Sequence, residues 1–282
     1  MTDLAPPPPE TVAADVSRAL REDVGDGDRT AALIPADTLL ETRVISREAA
    51  VLSGSPWFVE TFRQTDSAVR LSWQASDGDL IRRDQELCRL KGPARAILTG
   101  ERTALNFLQT LSGTATQAHR YVEAVAGTGA VILDTRKTLP GLRLAQKYAV
   151  RCGGARNHRA GLFDAILIKE NHISAAGSIA TAVRQALQQN AGLLIEVEVE
   201  NLDQLEEAWE AGAQRALLDN FSLQTLSIAV DRFKGRVELE ASGGIDLQTV
   251  RAVAETGVDF ISTGAITKSV QATDFSMRFV AP

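Results

Sequence analysis

From Val131 onward in this 282-residue chain, polar and charged residues close six short apolar runs. They are Asp134-Thr135-Arg136-Lys137, Lys169-Glu170-Asn171-His172, Glu196/Glu198/Glu200, Asp219-Asn220, Glu240-Ala241-Ser242-Gly243-Gly244 and Ser262-Thr263-Gly264. Three kinds of chemistry are represented. Arg136, Lys137, Arg159 and Lys169 supply positive charge, and an arginine can grip a carboxylate or phosphate through two parallel hydrogen bonds. Lys169 ends the apolar run AILI, so it should reach the open end of whatever sheet that run builds. Ser242, Gly243, Gly244, Ser262, Thr263 and Gly264 are small, and small residues let backbone N–H groups approach a phosphate. Glu198 and Asp219 close adjacent runs. They could hold Mg²⁺, ribose hydroxyls or a developing positive charge.

Other residue types are less telling. Glu196, Glu198 and Glu200 alternate onto one side of a strand, and three carboxylates cannot all be buried without partners. Glu196 and Glu200 therefore read as partners of nearby basic side chains. His158 sits in the loop RCGGARNHRAG, as a hydrogen-bonded structural group or a further anion ligand; Arg156 and Arg159 beside it disfavour its protonation. His119 and Cys152 read as structural. No Ser-His-Asp order, HExxH, P-loop or paired-cysteine spacing is present.

The elements that must position these residues follow from periodicity. The apolar runs are Val131 to Leu133, Ala165 to Ile168, Leu193 to Val199, Ala216 to Leu218, Val237 to Leu239 and Phe260 to Ile261. Helical patterns follow most of them, over 179–188, 202–211, 223–233 and 247–255. Short apolar strands alternating with amphipathic helices indicate parallel βα units. Later strand starts lie roughly 22 residues apart, which suits a (β/α) barrel. Six strands fall short of eight, so an incomplete or seven-stranded barrel fits. A flat doubly wound sheet is the alternative, but no GxGxxG follows the first run. In either arrangement the C-terminal strand ends converge on one face, where such folds build their sites.

The first half is patterned differently. Residues 12–24 predict an amphipathic helix, and GDGDRT at 25–30 is turn chemistry. β-like runs follow at 42–46, 49–52, 68–73, 86–90 and 94–98, with a short helix at 57–63. Residues 101–126 predict one long helix, with Ser112-Gly113 as a candidate break. The whole suggests a small α/β or β-rich domain.

Composition narrows the classes. The chain is 44% hydrophobic and 23% charged, ordinary for a globular protein. Thirty Lys and Arg against 36 Asp and Glu leave −6, which argues against a nucleic-acid coat. Between Asp134 and His172, however, eight basic residues face three acidic ones, a local +5. No apolar run reaches membrane-spanning length, and MTDLAPPPPE has neither the basic start nor the apolar stretch of a secretory signal. The four prolines suggest an extended lead-in. Two isolated cysteines form no disulfide framework, so a reducing cytoplasm is the expected compartment.

Several segments together carry a family resemblance. GERTALNFLQTLSGTAT (100–116), LDTRKTLPGLR (133–143), GGARNHRAGLFDAILIKENHI (153–173), IEVEVEN (195–201), LLDNF (217–221), EASGGI (240–245) and FISTGAIT (260–267) resemble quinolinate phosphoribosyltransferases. Ala155, in place of a glycine, and EASGGI, in place of a Ser-Gly-Asn form, depart from the pattern without removing a substrate-binding side chain. The resemblance implies an α/β fold: an N-terminal α/β sandwich over 25–115, with 271–282 as a candidate addition, and a seven-stranded β/α barrel over 116–270. Residues 1–24 would be an N-terminal extension and helix. It implies that quinolinate and phosphoribosyl pyrophosphate give nicotinate mononucleotide, pyrophosphate and CO₂, with Mg²⁺ as cofactor, in de novo NAD synthesis. It also implies a homodimer in which Arg102 reaches the other subunit's site. Thr135, Arg136, Lys137, His158, Arg159 and Lys169 would bind the quinolinate carboxylates and the pyrophosphate. Glu198 and Asp219 would bind ribose hydroxyls and metal, with Lys137 and Lys169 beside them in the catalytic set. The small residues at 242–244 and 262–264 would hold the 5′-phosphate. Two alternatives stay open: a phosphoribosyltransferase for nicotinate or another pyridine acid, and a non-catalytic barrel that senses an anion.

Overall fold

The structure, a computed structural model, describes residues 4–189 and 192–280. Along the chain come α1 (Pro9–Val24), β1 (Leu39–Ser46), β2 (Ala50–Val51), α2 (Ser55–Thr65), β3 (Arg70–Trp73), β4 (Leu80–Ile81), β5 (Glu86–Pro93) and α3 (Ala94–Ala124). Then follow β6 (Val131–Leu133), α4 (Arg143–Cys152), β7 (Ile166–Ile168), α5 (Glu170–Ala176), α6 (Ile179–Gln189), β8 (Ile195–Val199), α7 (Leu202–Glu210) and β9 (Arg215–Asp219). The last are α8 (Leu223–Phe233), β10 (Glu238–Ser242), α9 (Val250–Glu255), β11 (Phe260–Ser262), α10 (Ala265–Lys268) and β12 (Phe275–Phe279). They divide into two units. One takes in the chain up to His119, Thr138–Gly154 and the chain from Ser269; the other takes in Arg120–Lys137 and Ala155–Lys268.

The first unit is built on a four-stranded antiparallel sheet in the order β12-β1-β5-β3, with β2 and β4 paired separately. Its core gathers Val44, Phe58, Phe62, Leu87, Leu90, Ile97, Leu105 and Leu108. A second cluster joins Val12 and Val16 of α1 to Trp57, Phe107 and Tyr148. Two expectations change here. The run 94–98 is the first turn of α3, not a strand. Pro93 precedes it, and Ala94, Ile97, Ala104, Leu105, Leu108 and Leu111 are buried at helical spacing. The same helix continues unbroken past Ser112-Gly113. Gly113 is needed for another reason: a Cβ there would lie 2.1 Å from the carbonyl oxygen of Gln271, so the glycine admits that backbone.

The second unit carries a six-stranded parallel sheet in the order β6-β11-β10-β9-β8-β7, with helices between successive strands from β7 onward. The expected seventh strand is reduced to one bridge, Leu133 to Arg156. Arg156 N–H donates to Ile132 O at 2.9 Å, and Asp134 N–H donates to Arg156 O at 3.1 Å. The loop RCGGARNHRAG has no apolar run to extend a ladder, and its polar side chains turn to other work. Register then aligns the chemistry. Glu196 and Glu238 both pair with Arg215, and Glu198 and Glu240 both pair with Leu217. Because strand side chains alternate, Glu196, Glu198, Arg215, Asp219, Glu238, Glu240 and Ser242 share one face, while Val197, Leu218 and Ala241 face the other way. Among the described residues, no helix is long and apolar enough to cross a membrane.

Candidate active site

The C-terminal strand ends of the second unit form the upper layer of the site. Lys169 follows β7 and its ammonium donates to Glu198 Oε2 at the end of β8. The Lys169 main chain is held in turn: its N–H donates to His172 Nδ1 at 3.0 Å, which starts α5. Asp219 ends β9 and accepts from the Asn220 side-chain amide at 2.9 Å. Asn220 adopts a positive φ of 57° and its N–H donates to Ser242 O at 3.0 Å, which ties the ends of β9 and β10 together.

The small-residue ends are shaped by close approach. Gly243 has φ +99°, and a Cβ there would lie 2.2 Å from Asn220 Oδ1, so any side chain would displace the neighbouring strand end. After β11, a Cβ on Gly264 would lie 2.9 Å from Lys137 Cδ and 3.3 Å from Thr135 Oγ1. Lys137 N–H donates to Thr135 Oγ1 at 3.0 Å, and Thr267 Oγ1 donates to Lys137 O at 2.8 Å. Thr263 Oγ1 donates to Ile245 O at 3.0 Å, linking the ends of β10 and β11. The two glycine-bearing ends and the Thr135–Lys137 segment therefore belong to one rim.

Behind β6 stands Asp134, fully buried, which sequence reasoning placed at a strand end without a role. Its carboxylate accepts from Asn157 Nδ2 at 2.7 Å and from His158 N–H at 2.8 Å. It thereby folds the NHR segment against the strand end that carries Arg136. The Arg159 side chain is held below its ordinary pKa range, first by burial and next by repulsion from Arg136. Two guanidinium groups forced near each other make a seat for an anion, which would remove that repulsion. Arg102 lies in the first unit, exposed on α3.

One layer beneath the mouth lies a group that sequence alone did not assemble. Of the three alternating glutamates, Glu200 is exposed, Glu198 half-buried and Glu196 fully buried. His158 Nε2 is 2.9 Å from Glu196 Oε2 and 3.6 Å from Glu240 Oε1. Arg215 donates to Glu238 at 2.8 Å and to Glu240 at 3.5 Å, and its guanidinium lies 4.0 Å above the Phe260 ring. Burial pushes both Glu196 and Glu240 up from the usual carboxylate range, and Glu240, further raised by the Glu196 charge, reaches about 8. His158 is thus less an arginine-flanked loop residue than one turned onto two carboxylates.

A stability prediction follows from Glu240. Its folded pKa is raised, so the folded state holds a proton that the unfolded chain, with a carboxyl near 4.3, gives up. The stabilisation is complete below about pH 4.3 and is lost as pH rises through about 8. Glu240→Gln, which mimics the protonated acid, is expected to flatten this part of the Tm–pH curve. Calorimetry from pH 5 to 8.5 reads it; an unchanged slope would show that Glu240 is ionised throughout.

Known proteins share this architecture. A family model described as the N-terminal domain of quinolinate phosphoribosyl transferase matches residues 28–112, and one for the C-terminal domain of the same enzyme matches 114–278. A Bacillus subtilis protein named as a probable carboxylating nicotinate-nucleotide pyrophosphorylase is 41% identical over 257 residues, covering 91% of this chain and 89% of that one. A rice chloroplastic protein named as a carboxylating nicotinate-nucleotide pyrophosphorylase is 39% identical, covering 98% and 80%. A solved structure of the nicotinate-nucleotide pyrophosphorylase from Francisella tularensis superimposes with a TM-score of 0.93 at 47% identity, covering 97% of each chain.

Proposed function

The chain belongs to the quinolinate phosphoribosyltransferase family, and from that premise we infer how its strand-end residues divide the family reaction. The enzyme transfers the phosphoribosyl group of phosphoribosyl pyrophosphate to quinolinate, with decarboxylation, and so forms nicotinate mononucleotide, pyrophosphate and CO₂ in de novo NAD synthesis. The observation that carries the assignment of roles is the opposition, on one rim, of a crowded cationic segment to two carboxylates at adjacent strand ends.

Arg136 and Arg159 grip the two quinolinate carboxylates, which orients the ring nitrogen toward the anomeric carbon. Thr135, Lys137 and Lys169 bind the pyrophosphate. The backbone at 242–244 and 262–264 receives the 5′-phosphate. As the C–O bond to pyrophosphate breaks and the C–N bond forms, positive charge builds on the ribose. Glu198 and Asp219, already in place, stabilise that charge without reorganisation. The resulting cationic pyridinium accepts the electron pair of the departing carboxylate carbon, which leaves as CO₂, and the ring carbon takes a proton. No covalent enzyme intermediate is required.

Mg²⁺ suits this rim. Glu198 and Asp219 are hard oxygen donors on neighbouring strands, and Mg²⁺ is usually held by one or two carboxylates, waters and substrate phosphates. When bound there, it would neutralise charge on the pyrophosphate leaving group. The family resemblance extends this reading to a homodimer, in which the exposed Arg102 would add its guanidinium from the partner subunit to the dicarboxylate seat. Two free, buried cysteines, Cys88 and Cys152, support a reducing cytoplasm.

The test supplies quinolinate and nicotinate separately, each with phosphoribosyl pyrophosphate and Mg²⁺, and measures pyrophosphate, CO₂ and mononucleotide. Quinolinate-dependent release of all three is expected. Turnover of nicotinate alone would move the enzyme to another substrate, and tight quinolinate binding without product would make the barrel a sensor.

A further inference from the structure

A phosphoribosyl group has to be held at two ends at once, by its ribose hydroxyls and by its 5′-phosphate. One residue touches the protein groups at both ends. Asp219 and Ser242 are the last register pair between β9 and β10, and Asn220 stands one residue beyond it. Its N–H donates to Ser242 O at 3.0 Å, which carries the pairing past the strand end. Its side-chain Nδ2 donates backward to Asp219 Oδ2 at 2.9 Å. Among the described residues, Asp219 has no other side-chain hydrogen bond and no ion pair, so this amide alone orients its carboxylate. The far side of the same amide lies against the phosphate turn. A Cβ on Gly243 would come 2.2 Å from Asn220 Oδ1 and 2.7 Å from its Cγ.

Asn220 reaches both groups from a left-handed backbone. At φ 57° it joins Asp84 as one of two non-glycine residues with positive φ among the described residues. That region is unfavourable for most L residues, and Asn and Asp enter it most readily after glycine. Asn220 is also exposed, so core packing does not impose this conformation on it. Backbone strain kept at the mouth of a site, without a packing reason, points to function. The side-chain chemistry narrows the choice further. Glycine would accept the φ but bring no amide. Aspartate would accept it too, but would offer no N–H and would set a second carboxylate against Asp219.

We propose that Asn220 is a positioning residue that joins the Asp219 carboxylate and the turn 242–244 into one unit, matched to a pentose 5-phosphate with free ring hydroxyls. Seating the phosphate on the turn then brings the ribose to a carboxylate that is already oriented, which is the alignment the transfer step needs. The backbone bond to Ser242 holds the turn, and the side-chain bond to Asp219 adds the sugar. This rests on the phosphoribosyl transfer proposed above and assigns the residue that links its ribose and phosphate contacts.

Two variants test it. Asn220→Gly keeps the backbone conformation and removes the amide; Asn220→Asp keeps the conformation and the shape and removes the donor. Each is expected to raise KM for phosphoribosyl pyrophosphate about tenfold, while KM for quinolinate stays within about twofold. ³¹P NMR titration then separates the two contacts. Ribose 5-phosphate should bind about tenfold more weakly to each variant than to wild type, and inorganic phosphate within about twofold of wild type. An unchanged KM for phosphoribosyl pyrophosphate would overturn the proposal. So would an equal rise in both KM values, or an equal loss of phosphate and ribose 5-phosphate, since either marks a structural role only. If one variant does not fold, the other decides. The titration needs no quinolinate. A wild-type enzyme that binds ribose 5-phosphate but does not turn over quinolinate would therefore refute the functional reading, while the same titration of the variants still judged Asn220.

Discussion

Arg136→Ala is expected to lower kcat/KM for quinolinate by about a hundredfold or more, chiefly through KM, as loss of one charge-assisted, two-point grip on a carboxylate would. The loss stops short of abolition for a reason visible in the site. Arg136 repels Arg159 and helps hold it below its ordinary range; without Arg136 that strain is relieved, and Arg159 keeps one carboxylate. A near-normal kcat/KM would remove Arg136 from the dicarboxylate seat. The same variant also tests the partner contribution. Mixed with inactive Arg102→Ala enzyme and allowed to exchange subunits, it should regain activity, because a hybrid dimer contains one site with both arginines intact. No recovery would confine Arg102 to a role within its own chain.

Glu198→Gln is expected to fall on the other kinetic constant. The amide keeps the shape of the side chain and removes its charge, so ground-state binding changes little while the developing charge on the ribose loses its counterpart. A prearranged electrostatic group of this kind contributes about 10²–10³ in kcat. The substitution also takes the carboxylate from Lys169, whose ammonium donates to it. Tighter binding of pyrophosphate as a product inhibitor is the expected secondary sign, because Lys169 becomes fully available to an anion. Single-turnover kinetics with quinolinate separates the chemical step from release, and a chemical rate within about threefold of wild type would show that Glu198 does not face the reacting carbon.

Much of the second unit was legible before any coordinates. Buried parallel strands are continuous apolar runs and their helices are amphipathic, so β6, β7, β8, β9, β10 and β11 announce themselves. The seventh strand did not, because a single bridge at Arg156 needs no apolar pattern. In the first unit, the strand-like run 94–98 opens α3 instead, because five residues cannot distinguish a strand from the opening turn of a helix. The assignment of 138–154 to the first unit was equally hidden, since contacts distant in sequence decide it.

At the site, the residue types were plain and their pairings were not. The sequence by itself determined that cations, carboxylates and small residues stand at strand ends, because the chain order of apolar runs and breakers is written locally. It also placed the positive charge between Asp134 and His172, against an acidic whole. Only the tertiary structure decided depth and partnership. It put Glu196 in the interior and Glu200 in solvent from one alternating series, gave Glu198 to Lys169, and turned His158 from its flanking arginines onto Glu196 and Glu240. The physical reason is that alternation sets which side of a strand a residue takes, whereas register between strands sets which charges meet and how far from water they lie.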